Sequence, residues 1–107
     1  MGRIILFITE YKLIKRGHEC DSHDEWLGYV TSVAECANLC RNKVGCKYFV
    51  KGTILDYWYH VDNYCYWEKT NSADCPEGWD EDSYDFYELV SGKYFKELFI
   101  EQTKDWK

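Results

Sequence analysis

Six cysteines in a chain of 107 residues constrain this sequence more than any other feature. An even number of cysteines in so short a chain is typical of a disulfide framework, which forms in an oxidising compartment. Zinc is the competing interpretation, but it favours C-x-x-C pairs or a Cys/His box, and the chain has no C-x-x-C. We therefore expect one small, disulfide-rich domain from an extracellular or lumenal compartment, because the length does not suffice for two domains.

The stretch from Thr31 to Val50 contains three of these cysteines and predicts a helix followed by a strand. Ser32 and Glu35 are spaced as a capping box, in which the Glu35 carboxylate reaches back to the cap. Asn42 and Gly45 are expected to end the helix, because both tolerate the left-handed conformation. The residues after Gly45 are aromatic and β-branched, which is typical of a strand. The buried stripe of the helix comprises Val33, Cys36, Ala37 and Cys40.

Two later segments predict further strands. Residues 54–69 are rich in strand formers, and Asp62-Asn63 lies between two aromatic runs, which predicts the tip of a hairpin. Trp67 shares a strand face with a cysteine and is expected to point into the core. Residues 86–90 predict the last strand of the sheet.

The cysteine-bearing helix belongs to a longer pattern, S-x-x-E-C-x3-C-x5-C-K-Y-F, which is followed by Tyr64–Trp67, Gly78-Trp79 and Tyr84–Leu89. Together these motifs resemble a PAN/apple domain, over roughly Glu19 to Val90. The resemblance implies a small disulfide-rich α+β fold, in which one helix crosses an antiparallel sheet. It also implies binding to protein or carbohydrate, without catalysis. The nested disulfides that it implies are Cys20–Cys75, Cys36–Cys65 and Cys40–Cys46.

The two ends of the chain lie outside this resemblance. We divide the chain into an N-terminal strand extension (1–18), the PAN/apple-like domain (19–90) and a C-terminal docking tail (91–107). Residues 3–15 predict a strand that pairs with the domain sheet or with a partner, and the tail fits either a helical stripe or a strand. Both ends are more apolar than a small sheet needs, which predicts an assembly interface. Its candidate residues are Ile4, Leu6, Ile8, Phe95, Phe99 and Trp106.

Charge and composition restrict the partners. The formal net charge of −6 argues against nucleic acid and against an anionic membrane surface. No apolar run reaches the length of a membrane span, and Ile4–Ile8 is too short for a good signal peptide. Aromatic residues make up 19% of the chain, so several are expected to be partly exposed. We expect a protein partner, a glycan, or other copies of this chain in a larger complex.

Two groups of residues are candidates for binding. Exposed aromatic side chains stack on sugars or pack on proteins, and we place them at Tyr57, Trp58 and Tyr59. A local basic group in an otherwise acidic chain suits an acidic partner. It comprises Arg41, Lys43, Lys47 and Lys51.

No metal, cofactor or catalytic site is predicted. His18, Asp21, His23 and Asp24 lie close together in sequence, but their spacing matches no metal-binding box. The acidic run from Asp74 to Glu88 departs from the EF-hand pattern and is expected to be solvated. The nucleophile elbow, the H-E-x-x-H zinc motif and the glycine-rich phosphate loop are absent. We therefore expect the chain not to be an enzyme, and expect chelation to leave its fold intact.

Two functions fit these observations. The first is a non-catalytic extracellular module that makes protein–protein or protein–carbohydrate contacts as a subunit of a larger assembly or filament. The second is a stand-alone, lectin-like adhesion module that binds glycans. A disulfide-rich inhibitor or toxin-like protein is a further alternative.

Overall fold

The computed structural model describes the backbone of residues 3–7, 10–53, 61–90 and 95–99, and the side chains of residues 10–53 and 61–90. Within these ranges the chain forms a small α+β fold with one helix and nine strands. The predictions made for Ile8, Tyr57, Trp58, Tyr59 and Trp106 lie outside the described residues. The elements are β1 Arg3–Phe7, β2 Tyr11–Lys15, β3 His18–Cys20, β4 Asp24–Tyr29, α1 Val33–Arg41, β5 Tyr48–Gly52, β6 Tyr64–Glu68, β7 Trp79–Glu81, β8 Tyr84–Leu89 and β9 Phe95–Phe99.

Five strands form the main antiparallel sheet, in the order β2-β8-β5-β6-β4. Side chains alternate along β5, so Phe49 packs against α1 on one face while Tyr48 and Val50 are buried on the other. The second face is partly covered by β3 and β7, which pair with each other. There Trp79 stands edge-on to Phe86, with ring centroids 5.0 Å apart. The predicted architecture of one helix on an antiparallel sheet is confirmed.

Helix α1 begins at the predicted capping box, with one difference. The Ser32 hydroxyl accepts from the Glu35 N–H at 3.1 Å, but the Glu35 carboxylate reaches one residue further, to the N–H and hydroxyl of Thr31. These hydrogen bonds hold the pKa of Glu35 below its ordinary value. At the other end Asn42 keeps a helical φ of −82°, and the left-handed conformation is adopted by Gly45, at φ +91°. The helix therefore ends at Asn42 without a left-handed residue, and the left-handed turn follows three residues later.

The three disulfides pair as the PAN/apple resemblance implied. Cys36–Cys65 joins the helix to strand β6, in the middle of the core, and both residues are 0% exposed. Cys40–Cys46 closes the turn after the helix, and Cys20–Cys75 holds β3 to the loop before β7. In a domain of this size each such bridge contributes about 2–5 kcal/mol to stability.

The hairpin and core predictions for the middle of the chain hold where the structure describes them. The Tyr64 N–H donates to the Val61 carbonyl at 3.0 Å, which closes a turn at Asp62-Asn63. Trp67 packs against the core cluster beneath α1, as predicted. Its outer surface is covered by Lys69, whose Nζ lies 4.3 Å from the ring centroid.

The N-terminal segment forms two strands and not the single strand predicted over residues 3–15. Strand β2 pairs with β8 at the edge of the main sheet, whereas β1 pairs with β9. Residues 95–99 of the tail are therefore extended, which selects the strand over the helix for this part of the tail. The backbone places Ile4 opposite Leu98 and Phe7 opposite Phe95 in this two-stranded ribbon.

Candidate functional site

Four aromatic side chains on the sheet face opposite α1 form a cluster that we call the aromatic platform. Trp26 is at its centre, and its ring centroid lies 4.9 Å from Tyr29, 5.5 Å from Tyr64 and 5.2 Å from Tyr66. The rings meet edge to face, an arrangement that the aromatic quadrupole favours. Trp26 is 42% exposed and Tyr29 is 71% exposed, although both belong to strand β4. Core residues would be covered, so this cluster is available for contacts.

A bulge in β4 brings these rings to one face. Trp26 and Tyr29 are three positions apart, and in a regular strand they would point to opposite sides. Here Trp26 pairs with Tyr66 and Tyr29 pairs with Tyr64, while the register shifts by one residue before Gly28. The extra residue returns Tyr29 to the face of Trp26. Gly28 permits the bulge because its φ of +146° is rarely adopted by residues with a side chain.

Three carboxyl groups converge beside the platform, and we call them the carboxylate cluster: Glu19, Asp24 and Glu68. One oxygen of each lies within 4.8 Å of the oxygens of the other two. Asp24 pairs with Glu68 across β4 and β6, two positions along the same ladder from the Trp26–Tyr66 pair. Strand alternation therefore puts the cluster and the platform on the same face of the sheet. Glu19 reaches the cluster from β3, which covers that face.

Glu68 lies deepest in the cluster and is 0% exposed. The Ser22 hydroxyl donates to its Oε1 at 2.7 Å. Its other oxygen, Oε2, is buried and has no hydrogen-bond partner within the described residues. The neighbouring Glu19 carboxyl could serve as a donor only when protonated. An ionised Glu68 therefore leaves a buried oxygen unsatisfied, which is unfavourable.

Burial and mutual repulsion disfavour ionisation of the cluster. Burial, then a hydrogen bond and repulsion from Asp82, raise the pKa of Glu19. Burial is also the largest cause that raises the pKa of Glu68, against the hydrogen bond from Ser22, which favours the ionised form. In the described part of the chain, no Lys or Arg makes an ion pair with a member of the cluster. The cluster is therefore a pocket of uncompensated acidic groups, which suits a cation.

The structure divides the predicted basic group. Arg41, Lys43 and Lys47 line a cleft of about 600 Å³ between the turn after α1 and the end of β8. Lys51 does not line this cleft, and its ammonium donates to the backbone carbonyls of Gly52 and Asp62, at the other end of β5. Lys43 also lies 3.1 Å from a carboxylate oxygen of Glu25, so part of its charge is compensated within the molecule.

The other titratable residues that the sequence singled out are dispersed. The His18 ring bonds the Arg16 carbonyl through Nδ1 at 2.9 Å. Over the side chains that the structure describes, neither His18 nor His23 joins a group with the spacing of metal ligands. Asp85, from the acidic run, is buried and accepts from a backbone N–H at 2.8 Å. Only Asp24, of the predicted His/Asp group, enters the carboxylate cluster.

The sequence reasoning did not single out Trp26, Tyr29, Glu19 or Glu68. A glycine inside a strand is a known signal for a bulge, and Gly28 carried that signal for the platform. Glu68 follows the alternation of Tyr64 and Tyr66, so the face of the strand on which it lies could be predicted from the sequence. The burial of Glu68 could not be predicted, because it depends on contacts with distant residues such as Ser22, which precedes it by 46 positions.

Three disulfides suggest that the chain belongs to an oxidising compartment or to the extracellular space. In the parts of the chain that the structure describes, no helix has the length and apolar character needed to span a membrane. No family model, no curated protein and no solved structure matches this chain.

Proposed function

We propose that the chain is a non-catalytic, PAN/apple-like module whose aromatic platform binds carbohydrate. The observation that carries the proposal is the exposed edge-to-face cluster around Trp26, next to carboxyl groups on the same sheet face. Sugar rings present apolar C–H faces that pack on aromatic rings, and hydroxyls that donate to carboxylates. The platform and the carboxylate cluster offer both kinds of contact within one surface.

The charge of the site indicates a class of glycan. Asp24 lies two residues from Trp26 on the same strand face, and the cluster as a whole has no basic partner among the described ion pairs. As long as no cation occupies the cluster, an anionic sugar would be repelled by these carboxylates. We therefore infer that the platform binds neutral glycans and not sialylated or sulfated ones.

The proposal assigns no catalysis to the chain. Cysteine chemistry needs a free thiolate, and all six cysteines are bridged.

A glycan array with the full chain tests this proposal, using Trp26→Ala as the disruptive variant. We expect retention of neutral glycans and a loss of at least about tenfold in affinity for Trp26→Ala, which corresponds to about 1.4 kcal/mol. Tyr29→Phe keeps its ring and should bind normally if stacking dominates. Val44→Ala is the matched surface control, because Val44 is 99% exposed in the basic cleft. Equal binding by Trp26→Ala and Val44→Ala would overturn the assignment of the platform.

A second candidate function, membership of a larger assembly, is supported by the ribbon of β1 and β9. These strands pair only with each other within the described residues, so their outer edges are open to further strands. Light scattering of the full chain should then show a species larger than a monomer. Removing residues 1–7 together with 95–107 should reduce that mass while the three disulfides still form. A monodisperse monomer of the full chain would refute this candidate.

A further inference from the structure

The carboxylate cluster offers more than a polar border for the aromatic platform. We propose that Glu19, Asp24 and Glu68 bind a calcium ion, with Asp82 behind Glu19. The proposal does not depend on carbohydrate binding, since it is carried by the geometry of the carboxyl groups and by the buried oxygen of Glu68.

The spacing of the oxygens fits calcium. Calcium binds oxygen ligands at about 2.3–2.6 Å, so two ligands on opposite sides of the ion lie about 4.6–5.2 Å apart. One oxygen from each of the three carboxyl groups lies within 4.8 Å of the others, a spacing that small side-chain adjustments bring to the coordination distance of a single ion. Three carboxylates supply up to six oxygens, which is the lower end of the coordination number that calcium prefers. Magnesium needs shorter distances and an octahedral arrangement, and it retains several waters.

The buried carboxylate oxygen of Glu68 lacks a partner, and a bound cation would supply one. Glu68 is 0% exposed, and its Oε2 has no partner within the described residues. Buried charges in proteins are normally paired or coordinate metals. A divalent cation between Glu68, Glu19 and Asp24 would satisfy this oxygen and remove the repulsion between the three groups.

In the described part of the chain, acidic side chains and phenols surround the cluster. The ionisable groups that face it are Asp82 in the turn before β8 and the phenols of Tyr66 and Tyr84, which are neutral at physiological pH. Lys69 directly follows Glu68 in the chain, but its ammonium pairs instead with Glu25 at 2.9 Å. No lysine or arginine in the described ion pairs reaches Glu19, Asp24 or Glu68.

A shared proton is the alternative occupant. A protonated Glu19 could donate to Glu68 Oε2, so that the pair would hold one negative charge and need no metal. The two occupants respond differently to their surroundings. A proton pair is stabilised by acid and is indifferent to calcium, whereas a calcium site is stabilised by the ion and weakened by acid.

The position of the site would leave one side of the ion accessible. Glu68 forms the floor, while Glu19 and Asp24 are only partly buried. Asp24 and Trp26 alternate along β4, so an ion at Asp24 would lie beside the central ring of the platform. Sugar hydroxyls on the platform could then complete its coordination shell in place of water.

Titration of the purified, disulfide-bonded chain with calcium after chelation tests the proposal. Calorimetry should give a Kd in the range of about 10⁻⁴ to 10⁻³ M that extracellular calcium modules show, and calcium should raise the melting temperature. Terbium, which takes calcium sites, should emit when the tyrosines beside the cluster are excited, Tyr66 and Tyr84 among them. Magnesium should bind at least tenfold more weakly.

Two variants and a matched control make the result specific. Glu68→Gln should reduce calcium affinity at least tenfold. Asp24→Asn should reduce it by a similar factor, and because Asp24 is only partly buried, this variant keeps the test available if Glu68→Gln fails to fold. Asp74→Asn removes one negative charge from an exposed residue outside the cluster and should leave calcium affinity unchanged. The proposal is overturned by a chain that calcium neither binds nor stabilises, by equal affinity for magnesium, or by equal losses in all three variants. Glycan retention measured with and without chelator is a separate readout, so platform binding and calcium binding fail independently.

Discussion

Replacing Gly28 with alanine tests whether the bulge in β4 builds the aromatic platform. The φ of Gly28 is +146°, and a side chain held in such a conformation costs about 1–3 kcal/mol. The added Cβ would meet only the Leu39 Cδ1 methyl at 3.4 Å, which is close to an ordinary contact. The cost therefore comes from the backbone, and we expect Gly28→Ala to lower the free energy of unfolding by about 1–3 kcal/mol.

Gly78→Ala provides the matched control. Gly78 also has a positive φ, +109°, and nothing lies within 4 Å of an added Cβ. It belongs to the loop before β7 and not to β4 or β6. Urea denaturation of both variants should show a loss of similar size, because the same kind of backbone strain is introduced.

The two variants should differ in binding. The strain at position 28 can be relieved if β4 loses its extra residue, and a one-residue shift would turn Tyr29 to the face of α1. Glycan retention should then fall in Gly28→Ala and stay unchanged in Gly78→Ala. If Gly28→Ala has the stability of the native chain within about 0.5 kcal/mol, or if both variants bind glycans equally well, the role given to the bulge is wrong.

Three further predictions follow from the core and the helix. Burial raises the pKa of Glu68 from its ordinary value of 4.5 to about 7, so the folded state holds this proton more tightly. In the metal-free protein the contribution of Glu68 to stability should be complete below pH 4.5 and decline as the pH rises through 7, and Glu68→Gln should remove this contribution in urea titrations across the range. Replacing both cysteines of Cys36–Cys65, whose sequence separation is 29, should lower the free energy of unfolding by about 3–4 kcal/mol. Replacing those of Cys40–Cys46, whose separation is 6, should lower it by about 2 kcal/mol, because a shorter loop loses less entropy when it is closed. A larger fall in the urea midpoint for Cys40–Cys46 would contradict this argument. Ser32→Ala should cost about 1 kcal/mol through the lost cap of α1, measured in the same way, whereas the exposed Asn38→Ala should not.

Local signals in the sequence predicted the part of the fold that depends on neighbouring residues. The capped helix, the turn at Asp62-Asn63 and the inward face of Trp67 follow from spacing and turn chemistry within a few residues. The disulfide pairing came from the PAN/apple resemblance, because spacing alone leaves fifteen pairings open for six cysteines.

The candidate site was less predictable because its parts come from distant segments. Glu19 lies in β3 and Glu68 in β6, and they meet only because β3 folds over the main sheet. The platform depends on a one-residue register shift at Gly28, which reverses the face of Tyr29. Plain alternation would have put Tyr29 with the core; Gly28 signals a bulge, but only the pairing with β6 shows where the extra residue lies.

The nesting of the disulfides has a mechanical consequence. Cys36–Cys65 and Cys40–Cys46 both lie inside the loop that Cys20–Cys75 closes. When the two ends of the chain are pulled apart, tension passes through the Cys20–Cys75 bond and bypasses the chain between these two cysteines, a sequence separation of 55. About 190 Å of extended chain is therefore withheld from stretching, by the usual length per residue. Trp26, Asp24 and Glu68 all lie within the protected loop, so a module under tension would let β8 peel away while most of the platform and cluster remained inside the closed loop.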